Sequence, residues 1–84
     1  MTDAQRIALN GALRLLIQKV EHACRARLDL ERLHREQEQG ALVYPGQIER
    51  QERALGHAEF VLDASIDQFV DVLEHTFSPE ALHR

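Results

Sequence analysis

A chain of 84 residues, 44% hydrophobic and 29% charged, makes one small domain, and domains near this size bury only roughly 60% of their unfolded surface. Its one cysteine, Cys24, forbids an internal disulfide and suits a reducing compartment. The net charge of −4 argues against nucleic acid, because phosphate neutralisation supplies most of that affinity.

The N-terminal Met-Thr-Asp-Ala-Gln-Arg has no basic-then-apolar secretory pattern. No apolar run approaches the ~18 residues of a membrane span. A cytoplasmic protein held together by helix packing and association is therefore expected.

Thr2 with Gln5 three places on reads as a capping box opening a helix over about 3–39. Along it Leu9, Leu13, Leu16, Ile17, Val20, Cys24 and Leu28 recur at helical spacing and fall within an arc of roughly 100°, an ordinary amphipathic stripe. Asn10-Gly11 is where a short N-terminal helix would separate from the long one. Toward the turn Arg27, Glu31 and His34 fall on the stripe, which predicts looser packing there.

Gly40-Ala-Leu-Val-Tyr-Pro-Gly46 is the one strong breaker cluster in the interior. Gly40 suits the left-handed residue that ends a helix, and Pro45 suits the first turn of the next. The turn is read over 40–44 and the second helix over about 45–77, with Ile48, Leu55, Ala58, Leu62, Ile66, Phe69 and Leu73 as its stripe. Ser78-Pro79-Glu80 reads as the cap of a short helical tail over 78–84. Two long helices joined by a tight reversal lie side by side. The predicted fold is an all-α antiparallel hairpin with short helical segments at either end.

The second helix carries more apolar surface than one neighbour covers. Val61 and Val72 lie to one side of its stripe, Val70 and Phe77 to the other, and the arc spans roughly 180° against about 100° for one contact. Leu15 and Leu33 fall off the first helix's stripe. Apolar surface of that kind marks an interaction site. Leu15, Leu33, Val61, Phe69, Val72 and Phe77 are thus the expected partner-binding residues, and either a second copy or a different protein could cover them.

Chemistry finds no foothold. The five histidines show no His-x-x-x-His spacing that would gather metal ligands on a helix face. Asp63, Asp67, Asp71 and Glu74 form a solvated stripe without the loop carbonyls that calcium sites draw on. Cys24 reads as a small core residue. No nucleophile–base arrangement or phosphate loop is present, so no enzyme, metal or cofactor is expected.

The turn Gly40-Ala-Leu42-Val-Tyr-Pro45-Gly-Gln47, followed by Leu55-Gly-His-Ala58-Glu59-Phe-Val-Leu62, resembles the small E-component family of type III secretion systems, the YscE/SsaE-like co-chaperones. Gly40, Leu42, Pro45 and Gln47 carry the resemblance, which spans roughly 13–75. It implies a two-helix hairpin that binds a helical-repeat, TPR-like chaperone in the cytoplasm, the pair holding a needle subunit unpolymerised. The expectation from another class is a homo-oligomeric helical bundle, phage- or plasmid-encoded, acting as scaffold, inhibitor or small-ligand sponge.

Overall fold

The computed structural model describes residues 2–77; the helical tail expected from Ser78 lies outside them. Two helices, α1 (Asp3–Glu38) and α2 (Gln47–Phe77), form an antiparallel hairpin. The capping box at the start of α1 is complete: the Gln5 N–H donates to Thr2 Oγ1 at 3.1 Å, and the Thr2 N–H to Gln5 Oε1 at 2.9 Å. The helix runs unbroken through Asn10-Gly11. One glycine costs about 1 kcal/mol in a helix interior, and helical residues on both sides outweigh it. The expected separate N-terminal helix is therefore corrected.

Helix α1 ends as its glycine predicts. Gly40 sits at φ +83°, its N–H donates to the Gln37 carbonyl at 3.1 Å, and the Ala41 N–H donates to the Glu36 carbonyl at 2.8 Å. This is the paired bonding of a Schellman cap. The entry to α2 differs from expectation. Pro45 and Gly46 are the middle of a tight turn, closed by the Gln47 N–H donating to the Tyr44 carbonyl at 3.0 Å. Gly46 at φ +79° makes it type II, which takes proline second and glycine third. The helix starts at Gln47 instead of Pro45, and the Gln47 side chain reaches back to accept the Tyr44 N–H at 3.2 Å.

Burial reveals a seam different from the predicted stripe. On α1 the buried and half-buried positions include Leu9, Ala12, Leu16, Lys19, Ala23, Ala26, Leu30 and Leu33; on α2 they include Ile48, Gln51, Leu55, Ala58, Leu62, Ser65, Phe69, Val72 and Thr76. Steps of three and four alternate in both, the 3.5-residue repeat of a coiled coil. Ala23, Ala26 and Ala58 form the inner cluster, with Leu55 and Leu62 packed around it. Register is fixed by Gln51 Nε2, which donates to the Ala26 carbonyl at 3.1 Å. It sets Leu33 level with Ile48, and Leu9 level with Val72.

Three expectations are corrected by this seam. Leu13, Ile17, Val20, Cys24 and Leu28 are exposed, not core. Leu33, expected to face a partner, is 6% exposed and belongs to the hairpin's own core. The turn half, expected to pack loosely, holds that leucine and the alanine cluster. The physical reason is the turn: it brings Leu33 against the start of α2, and a 3.5-residue seam followed back from Leu33 passes through Ala26, Ala23 and Lys19. A straight 3.6-residue stripe drifts from it by about 20° per heptad.

The resulting rod measures 64 × 16 × 14 Å, with a radius of gyration of 18.8 Å where a compact chain of this length has about 12 Å. Its accessible surface is 6735 Å², against about 5,100 Å² for a compact monomer of the same mass. The hydrophobic residues buried among those described are three alanines and one leucine. Small residues let the backbones approach closely, yet each removes little apolar area from water.

Candidate partner-binding face

An antiparallel two-helix seam has two flanks, and in this hairpin they differ. The rear flank carries His22, Asp29 and Ala54 near the middle. Leu15 and Val61 lie on the same flank and are half-buried. Toward the open end a cleft of about 490 Å³ lies between Ala4 and Ala8 of α1 and Gln68, Asp71 and Val72 of α2, where alanine side chains are too short to fill the gap. His75 lines it, with its Nδ1–H donating to the Asp71 carbonyl at 2.7 Å.

The front flank is divided in two. At its middle Arg27 Nη2 donates to Glu59 Oε1 across the seam at 3.0 Å, with the two side chains 64% and 47% exposed. A pair this wet contributes at most about 1 kcal/mol; it marks a boundary more than it holds the helices. On the open-end side Leu13, Ile17 and Val20 of α1 stand beside Ile66, Val70 and Phe77 of α2. Each of the six leaves between 40% and 49% of its surface in water, on the order of 500 Å² together, as large as the biggest apolar patch on a typical monomer. Leu73 lies half-buried among them.

On the turn side the flank is acidic. The same heptad rows carry Glu31 and Glu38 on α1 and Glu49 and Glu52 on α2, with the Arg27–Glu59 pair at their edge and Asp63 just beyond it toward the open end. His34, Glu49 and Glu52 line a cleft of about 460 Å³ with Val43 and Pro45 beneath the turn. At the tip Leu42 is 91% exposed and Tyr44 69%. Gly40, Pro45 and Gln47 shape the turn; Leu42 only projects from it.

The residues expected to face a partner are thus dispersed. Phe69 and Val72 lie half-buried in the seam with Leu33, and Leu15 and Val61 lie on the rear flank. Phe77 alone joins the apolar half of the front flank. Leu13, Ile17, Val20 and Ile66 were missed as surface residues because a 3.6-residue wheel puts them in the core; Val70, read as lying off the stripe, is exposed. A count by alternating threes and fours from Leu33 and Ile48 would have found them.

Among the described residues no three His, Cys, Asp or Glu side chains come together where they could hold a metal ion, and no buried side-chain polar atom lacks a hydrogen-bond partner. Ser65, the one buried polar residue among them, donates from Oγ to the Val61 carbonyl at 3.0 Å. Among the described residues no helix is long and apolar enough to cross a membrane.

Fold and flank define an all-α antiparallel hairpin with an alanine-centred seam and an apolar surface that no described residue covers. No family model, curated protein or solved structure matches the chain.

Proposed function

We propose that this chain is a non-enzymatic protein-binding module whose front flank packs against a helical protein. The observation that carries the reading is the apolar half of that flank: six aliphatic and aromatic side chains, contributed by both helices, half in water on a hairpin whose own core is mostly alanine. A partner that binds only the folded hairpin adds to its stability by mass action, which suits a chain with so little core of its own. The turn resemblance gives the partner class: a TPR-like helical-repeat chaperone of a secretion needle subunit, which the hairpin would stabilise in the cytoplasm.

The test is co-expression with a helical-repeat chaperone encoded beside the gene. A soluble one-to-one complex from the unaltered chain, lost in Ile66→Glu, supports the reading. An isolated chain that stays monomeric with high stability at every concentration, and a chaperone unaffected by it, overturns it. The second reading, a homo-oligomeric bundle, is favoured by the same strip, since two copies could cover it mutually. Light scattering on the isolated chain separates the two.

A further inference from the structure

The binding role places a partner on the front flank, and the division of that flank constrains what the partner can be. A second copy fits it poorly. With both hairpins pointing the same way, the acidic turn halves stack, setting Glu31, Glu38, Glu49 and Glu52 against the same set; like charges so juxtaposed oppose association. With the copies opposed, only the apolar halves overlap, burying on the order of 500 Å² per protomer where a standard interface buries about 800 Å². The rear flank has no acidic half to match: its open-end cleft is lined by Ala4, Ala8, Val72 and polar groups, and its Asp29 and Glu36 are paired with Arg32.

Resting on that reading, we infer that the front flank takes a single amphipathic helix that is apolar over one half and basic over the other, seated along the groove between α1 and α2. Its apolar half covers Ile17, Val20, Ile66 and Val70, completing a three-helix section at the open end. Its lysines or arginines lie over Glu31, Glu49 and Glu52 on the turn side of the Arg27–Glu59 pair. From Leu13 to Glu38 the groove runs about 38 Å at 1.5 Å per residue, so the occupant is a helix of about 25 residues. Burying the strip supplies affinity; the acidic half sets axial register and excludes acidic helices.

The experiment titrates the full chain into three fluorescent synthetic helices of that length, followed by anisotropy. All share an apolar stripe over one half; the other half carries lysine, glutamate or glutamine on the same face. The lysine helix binds best, at least about tenfold tighter than the glutamate helix at low salt, and its advantage shrinks as salt screens the charges. The triple variant E31Q/E49Q/E52Q removes that advantage and leaves the glutamine helix unaffected. Equal binding of all three helices, still abolished by I66E, overturns the basic-half assignment and leaves the apolar docking face intact. Binding that survives I66E in a variant with unchanged circular dichroism overturns both. Ile66-dependent dimers in sedimentation, with none of the helices bound, make a second copy the occupant and overturn the inference.

Discussion

Truncating Leu33 and Ile17 in turn decides between the two faces of α1. Leu33→Ala removes three carbons at a position 6% exposed. At about 0.8 kcal/mol per buried carbon the transfer loss alone is roughly 2.4 kcal/mol. Leucine-to-alanine changes in closed cores cost about 2–5 kcal/mol because a cavity remains. A seam one side chain thick can collapse or admit water, which keeps the value near the low end, about 2–3 kcal/mol. For a domain this small that lowers Tm by roughly 10–20 °C. Ile17→Ala removes a side chain already 48% exposed, leaves no enclosed cavity and introduces a better helix former, so its cost is below about 1 kcal/mol. Urea and thermal unfolding by circular dichroism, at concentrations where light scattering finds monomer, measure both. If Ile17→Ala destabilises the monomer as much as Leu33→Ala, the alanine-centred seam is wrong.

A Cβ at Gly11 or Gly56 meets nothing within 4 Å, so Gly11→Ala and Gly56→Ala should each stabilise the hairpin by about 0.5–1 kcal/mol through helix propensity and a less flexible unfolded chain, read from denaturation midpoints. Gly40→Ala forces an L side chain to φ +83° and should cost about 1–2 kcal/mol without disturbing the capping box at the far end, as backbone amide shifts would report. Glu59→Gln breaks the Arg27 pair, yet both side chains are about half or more exposed; the monomer should lose no more than about 0.5 kcal/mol, and a larger loss would mean the pair holds the helices together.

Elements with local causes were legible in the sequence. Thr2 and Gln5 announced the start of α1, Gly40 its end, and the scarcity of breakers elsewhere the length of both helices. Pro45-Gly46 was read as an entry into helix because proline favours that place; glycine directly after it makes a type II turn equally natural, and hydrogen bonding to Tyr44 selects the turn. The seam was hidden for a different reason. Pattern reading weights large apolar residues, and the core of this hairpin runs through Ala12, Ala23 and Ala26, with Lys19 laying its aliphatic stem along the contact. The large side chains were taken for the core and the contact line was passed over. An apolar excess on α2 was legible, but which residues carry it to the surface depends on rotation about the helix axis, which the turn fixes.

The order of the layers along the rod also has a kinetic consequence. Leu33 and Ile48 meet across a short stretch of chain, whereas Gln5 and Thr76 meet only after nearly all of it has been laid down. Closing a loop costs more entropy the longer it is, so the two helices zip from the reversal toward their free ends and come apart in the opposite sense. The buried residues run mostly from the middle of the rod to the reversal, so local opening is concentrated at the far extremity, where the uncovered strip begins. A guest seated there would clamp the part of the rod that frays most readily. Hydrogen exchange slowed near Leu9 and Val72, far more than near Leu33, would be its signature.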